Sequence, residues 1–306
     1  PVCYALAKEL EDLERYQESF AFLQEGAFRR RQGMQYDVAE DELAMEEIAR
    51  CFPGTRTGAR NEPDRPIFIL GLPRSGTTLV DRIVGSHSHV ASLGEHNTLA
   101  LALMKLAAPA DGKTQLIRRS AAIDFAELGR RYCDSIAGFG NGARRLIDKT
   151  PLNFLYIGPI RLALPGARII HLRRHPMDSC YAMYKTLFRA GYPFSYSLQD
   201  VGRYVLSYHQ LMAHWRNAFP GAFLDVDYEA LVTDPESEGR RILAYLDLPW
   251  EDDCLDFHRR RGVAATASAA QVRQPVYRTS VGLWRHYEAQ LAPLASKLRD
   301  RGLTFT

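Results

Sequence analysis

Nine residues, Gly71-Leu-Pro-Arg-Ser-Gly-Thr-Thr-Leu79, have the composition and spacing to hold an anion. They leave a short apolar run and enter a helical pattern. The backbone amides of residues 74–78 therefore converge where a helix dipole adds partial positive charge. A P-loop that hydrolyses nucleoside triphosphates carries Lys after its second Gly, reaching the β- and γ-phosphates, and then a Mg²⁺-binding Ser or Thr. Thr77 stands in the Lys position here, and the cation is Arg74 within the loop. The loop predicts a phosphate cradle, and the missing Lys argues against ATP or GTP hydrolysis. His87 and His89 form an H-x-H pair. A metal site wants further ligands and only His96 is close, so the pair reads as polar residues ending the helix after the loop.

Such a loop needs a buried strand before it and a sheet around that strand. PIFILG (66–71) is an apolar run bounded by Pro and Gly, and RRLIDK (144–149), ARIIHL (167–172) and GAFLDVDY (221–228) are similar. Helical patterns lie near 76–86, 124–137, 177–188, 200–218 and 235–246. Alternating strands and helices predict an α/β fold, a parallel sheet flanked by helices. Ahead of it, Ala5, Leu6, Leu10 and Leu13 keep helical spacing, a polar turn follows near Arg15–Glu18, and Phe20, Leu23, Ala27 and Phe28 resume the period. This pair resembles a tetratricopeptide unit, which cannot bury both faces alone and implies repeats upstream. A helical hairpin packed on the main domain fits the same pattern equally well. Residues 52–65, rich in Gly, Pro and charge, read as a linker. The expected division is a helical segment with linker over 1–62 and an α/β domain over 63–306.

With 306 residues, 46% hydrophobic and 25% charged, the chain is globular; collagen-like, disordered and disulfide-scaffold classes are excluded. A net charge of +3 does not argue for nucleic acid. Arg29–Arg31 and Arg259–Arg261 read as solvated helix faces or the rim for an acidic acceptor. The five cysteines are scattered without a CxxC pair, so they read as reduced thiols of a cytoplasmic protein. Leu99 to Ala110, the best membrane candidate, is short and broken by Lys105, so no membrane span is expected. The N-terminus carries acids where a signal peptide would not, and it starts without Met, as an excised piece of a longer protein would.

At Pro73-Arg-Ser-Gly-Thr-Thr78 the sequence resembles the sulfotransferase family, in which this segment binds the 5′-phosphosulfate of 3′-phosphoadenosine 5′-phosphosulfate. Three segments agree in order. Arg174-His-Pro-Met-Asp178 resembles the element whose Arg binds the 3′-phosphate, and Asp225-Val-Asp-Tyr-Glu-Ala-Leu231 the element whose Tyr lies near adenosine. Ser268-Ala-Ala-Gln-Val-Arg-Gln-Pro-Val276 with Gly282-Leu-Trp284 resembles the loop closing over the nucleotide. The resemblance covers residues 66 to about 295, and with the N-terminal helix pair it points to the bacterial tetratricopeptide-containing, tyrosylprotein-sulfotransferase-like branch. It implies a P-loop-like parallel sheet and a co-substrate held by Arg74, Ser75, Gly76, Thr77, Thr78, Arg174, Tyr228 and Arg278; a sulfuryl group carries less charge than a phosphoryl group, so no metal is expected.

Sulfuryl transfer needs an in-line acceptor hydroxyl, a base for its proton and positive charge on the departing phosphate oxygen. Glu95, in Ser92-Leu-Gly-Glu-His96 after the extended HVASL stretch, matches the family's general base, and a Glu is ionised at neutral pH. Adjacent His96 is the rival, because the small-molecule branch uses His; there the His follows a Lys-Thr pair, where this chain has Pro151. Lys149, in Asp148-Lys-Thr-Pro151, matches the second catalytic cation, Arg74 the grip on the 5′-phosphate, and Ser268 a Ser that stabilises the transition state. Asp178 reads as a helix cap.

The sequence departs from the family where a 3′-phosphate-binding Ser would follow Arg174 by eight residues: Ala182 stands there. Ser179 is the expected substitute and Thr186 the alternative, on one face of a helix running through both. A P-loop kinase or NTPase with an altered loop, and a non-catalytic nucleotide-binding module recruiting a partner through the helical repeat, are the competing functions. The acceptor, whether protein tyrosine, sugar, lipid or small molecule, is not readable from the sequence.

Overall fold

The computed structural model describes residues 1–54, 66–140, 142–189, 191–257 and 279–305. Ser268, Arg278 and linker residues 55–65 lie outside them. In chain order, helices α1 (Val2–Asp12), α2 (Tyr16–Gln32) and α3 (Val38–Cys51) precede strand β1 (Pro66–Gly71), α4 (Thr77–Gly85) and β2 (Val90–Ser92). Helices α5 (Thr98–Ala107), α6 (Lys113–Ser120) and α7 (Phe125–Ile136) follow, then β3 (Arg145–Asp148), α8 (Ile157–Ala163), β4 (Arg168–Arg173) and α9 (Pro176–Tyr184). The chain continues through α10 (Leu198–Ala218), β5 (Leu224–Asp227), α11 (Tyr228–Thr233), α12 (Pro235–Tyr245) and α13 (Glu288–Asp300).

These elements form two units. The larger comprises Leu43–Arg174 and Leu211–Tyr277; the smaller comprises Pro1–Glu42, His175–Gln210 and Arg278–Thr306. The larger holds a five-stranded sheet in the order β2-β3-β1-β4-β5, parallel at every pairing. All six residues of β1 are buried, as an apolar run flanked on both faces requires. Ile67, Ile69, Ile170 and Leu172 point to one face, where Val80, Ile83 and Val84 of α4 and Ile242 and Leu243 of α12 cover them. Phe68 alternates to the other face and packs on Tyr132 of α7, ring centroids 5.5 Å apart. The expected α/β architecture is present, and the HVASL stretch supplies a fifth strand, β2, paired with β3.

A half-buried polar cluster sits at the β4–β5 edge. His171 Nδ1 lies 2.6 Å from Asp225, and Arg216 adds bonds of 3.0 and 3.1 Å to the same carboxylate. Burial works against the charged Asp225, but bonds from His171 and Arg216 outweigh it and hold the carboxyl well below the usual range.

In the smaller unit, α1 and α2 form a hairpin whose turn falls at Leu13–Arg15, ahead of the expected Arg15–Glu18. Glu11 accepts from the hydroxyls of Tyr181 and Tyr287 and, at 2.6 Å, from Lys185 Nζ. Two sequence expectations are corrected here. Helix α9 ends at Tyr184 rather than near residue 188, and Thr186 Oγ1 closes that end by donating to the Ala182 carbonyl at 2.7 Å. Ser179 and Thr186 therefore do not share a helix face. Asp178 does not cap α9: its carboxylate accepts from the amides of Gly282 (2.7 Å) and Trp284 (3.2 Å), binding the residues ahead of α13.

Candidate functional site

The glycines of the anion loop are required by contact. Gly71 has φ +150°, and a Cβ there would sit 2.6 Å from the Leu172 carbonyl oxygen. Gly76 has φ +103°, and a Cβ would sit 2.5 Å from Tyr228 Cδ2. Between them Arg74 takes φ +66°, a conformation that costs a side-chain-bearing residue about 1–2 kcal/mol. The loop then enters α4 at Thr77, so the amides of Thr77 and Thr78 have no acceptor within the helix. Ser75, Thr77 and Thr78 are buried, and Ser75 Oγ has no hydrogen-bond partner among the described residues.

The loops after β4 and β5 close on the same place. Arg174 donates from Nη1 to the Arg74 carbonyl at 2.9 Å, and its guanidinium lies 4.8 Å from the Tyr228 ring centroid. Arg74, Gly76, Arg174 and Tyr228, expected to share one ligand, are thus brought together at the carboxyl ends of three neighbouring parallel strands, where open α/β sheets bind ligands.

The other two strands present the remaining pair. Parallel pairing continues beyond β2 and β3, with Leu93 N donating to Ile147 O at 2.8 Å and Lys149 N to Gly94 O at 2.9 Å. This ladder sets Glu95 against Lys149, whose Nζ donates to Glu95 Oε1 at 2.6 Å. The lysine is 1% exposed and the glutamate 43%. A buried ammonium is thus held by a half-exposed carboxylate.

Two buried carboxylates that the sequence reading did not select stand behind this pair. Asp148 accepts from Thr150 Oγ1 (2.8 Å), Tyr132 OH (3.1 Å) and Asn153 Nδ2 (3.2 Å). Burial pushes its carboxyl up to about 6, against the pull of those three bonds and of Lys149. Asp81, one turn along α4 from Thr77, is also pushed up by burial; its bond to Ser92 and the charge of Lys149 act the other way, and Glu95 adds to the rise. An Asp closing the apolar strand RLID was the available signal for Asp148.

His96, the rival base, turns its ring Nδ1 to Thr98 Oγ1 at 3.1 Å, and its amide donates to Thr150 Oγ1 at 3.0 Å. His87 is fully buried; its Nδ1 accepts from the His89 amide at 3.0 Å and its Nε2 faces the Pro249 carbonyl at 3.1 Å. Among the described residues no three His, Cys, Asp or Glu side chains are grouped to hold a metal. Ser179 is buried on α9, in the smaller unit.

A glycine-flanked loop entering a helix N-terminus at the carboxyl edge of a parallel sheet defines an α/β protein with a loop geometry suited to an anion. The Sulfotransferase family model matches residues 66–252, and the chain belongs to that family. It is 33% identical over 311 residues to an uncharacterised protein of Aquifex aeolicus, covering 97% of this chain and 41% of that protein. It is 28% identical over 227 residues to a putative protein-tyrosine sulfotransferase of Caenorhabditis briggsae, covering 71% of this chain and 80% of that one. The sulfotransferase domain of the Synechococcus PCC 7002 olefin synthase superposes with a TM-score of 0.54 at 19% identity, covering 82% of this chain and all of that domain, a likeness of fold. The chain spans less than half the length of the Aquifex protein it matches. Among the described residues no helix is long and apolar enough to cross a membrane.

Proposed function

We propose that this chain transfers a sulfuryl group from 3′-phosphoadenosine 5′-phosphosulfate to an acceptor hydroxyl, or to an amine, with Glu95 as general base. The observation that carries the proposal is the 2.6 Å Lys149–Glu95 pair at the carboxyl ends of strands paired beside the anion loop. The donor supplies the activated bond between sulfur and the phosphate oxygen. The loop amides and Arg74 hold its 5′-phosphosulfate, and Arg174, stacked on Tyr228, takes the 3′-phosphate. The residues fit the donor: Gly71 and Gly76 let the loop pack against Leu172 and Tyr228 where a Cβ would collide, and the buried Ser75 Oγ has bonding capacity to spare.

In the step itself the acceptor oxygen attacks sulfur, the bond to the phosphate oxygen breaks with its electron pair going to that oxygen, and the acceptor proton passes to the Glu95 carboxylate. A protonated Glu95 no longer holds the ammonium as an ion pair. Lys149 is then released toward the bridging oxygen as that oxygen gains charge, so one pair couples loss of the acceptor proton to stabilisation of the leaving group.

The roles of Ser268 and Arg278 in this scheme rest on the family resemblance alone, and that of Ser179 on its place near the start of α9, ahead of Ala182. Relatives named protein-tyrosine sulfotransferases make a protein tyrosine the first acceptor to try. A protein partner for the α1–α2 hairpin belongs to the same proposal. Five free cysteines support a cytoplasmic location. The test is thermal: the product 3′,5′-bisphosphate raises Tm while ATP with Mg²⁺ does so far less, and equal shifts would point to an NTPase.

A further inference from the structure

We infer that Thr150, oriented by the buried carboxylate of Asp148, is a positioning residue for Glu95, pinning the backbone that presents the carboxylate to Lys149. The inference rests on Glu95 being the base. The backbone on the N-terminal side of Glu95 is fixed by the strand-like bonds Leu93 N to Ile147 O and Lys149 N to Gly94 O, at 2.8 and 2.9 Å. On the C-terminal side, among the described residues, the His96 backbone is held by one hydroxyl. Thr150 Oγ1 accepts from His96 N at 3.0 Å and lies 3.0 Å from His96 O. The hydroxyl has a single proton, and Asp148 Oδ1, at 2.8 Å, competes for it as a charged acceptor. With the proton turned to Asp148, a lone pair of Thr150 faces the His96 N–H. Asp148 is itself held by Tyr132 OH and Asn153 Nδ2. The chain of bonds thus runs from α7 through Asp148 and Thr150 to the residue after the base.

The test reads geometry and chemistry separately. In the ligand-free protein, Thr150→Val accelerates exchange of the His96 amide by roughly tenfold or more, Thr150→Ser restores protection, and Glu95→Gln leaves it unchanged. With labelled donor and water as acceptor, Thr150→Val lowers kcat by about 10- to 100-fold while the Kd for 3′,5′-bisphosphate changes by less than about twofold. In a Glu95→Gln background the same substitution costs nothing further, because the group it positions is gone. Thr150→Ala is the second variant should Val misfold. Unchanged His96 exchange overturns the clamp whatever Glu95 does. A kcat loss that multiplies in the Glu95→Gln background overturns the positioning role. Full turnover in Glu95→Gln alone removes the base, and the catalytic half of the inference with it.

Discussion

Lys149→Met separates the chemistry of this site from its stability, because turnover falls by orders of magnitude while Tm moves by only a few degrees. Lys149 is 1% exposed and pairs with Glu95 at 2.6 Å. Met has similar length and flexibility, so it fills the same slot without leaving a cavity. The variant loses a charge-assisted hydrogen bond, generally worth about 1.5–3 kcal/mol. With Glu95 43% exposed and free to turn to water, roughly 1 kcal/mol is the appropriate share. Against that loss stands the relief of a buried ammonium, whose desolvation costs several kcal/mol, while the pull of its charge on buried Asp148 and Asp81 is lost with it. These terms oppose one another, so Tm moves by no more than a few degrees, at about 2–4 °C per kcal/mol for a chain of this order. Turnover falls by about 10²–10⁴ because the leaving oxygen loses its cation. Differential scanning and a labelled-donor assay on the same preparation read both. A fall in Tm with turnover intact would make Lys149 a structural cation and refute the reasoning.

Glu95→Gln lowers kcat by about 10²–10⁴ with the bisphosphate Kd nearly unchanged; calorimetric titration paired with rates checks both. Gly76→Ala forces a Cβ to within 2.5 Å of the Tyr228 ring at φ +103°, so Tm and bisphosphate affinity fall together in a thermal-shift titration. Asp148→Asn has a pH signature. A folded-state value near 6, above the ordinary carboxylate value, means stability from proton binding is present at low pH and lost as pH rises through 6. The Asn variant escapes that loss, on the order of 3 kcal/mol at full ionisation, so its Tm gains on the parent between about pH 4 and pH 7. A flat difference across that range would place Asp148 at an ordinary value.

The anion loop was legible because its requirements are local: a strand, two glycines at fixed spacing and a helix start lie within residues 66–85. Strand periodicity likewise placed Lys149 at a strand end. Its burial, and the bond to Glu95 more than fifty residues away, come from β2 pairing with β3, and three-residue β2 carries too little pattern to announce a partner. Asp148 and Thr150 flank a residue that drew attention, yet their roles depend on Tyr132 and His96 arriving from other elements. Asp178 was misread for the same reason: an Asp in the first turn of a helix looks like a cap until Gly282 and Trp284 bring their amides to it. The end of α9 at Tyr184 follows from Thr186 bonding back to Ala182, a side-chain choice that periodicity does not register.

The central claim, that the Glu95–Lys149 pair drives sulfuryl transfer, is tested most directly by following ³⁵S from labelled donor to acceptors offered as tyrosine peptides, sugars and phenols, with EDTA present. The account predicts label on an acceptor hydroxyl in the parent protein, undiminished by EDTA and reduced by about 10²–10⁴ in Glu95→Gln. Transfer at the parent rate by Glu95→Gln, or transfer abolished by EDTA and restored by Mg²⁺, would contradict it.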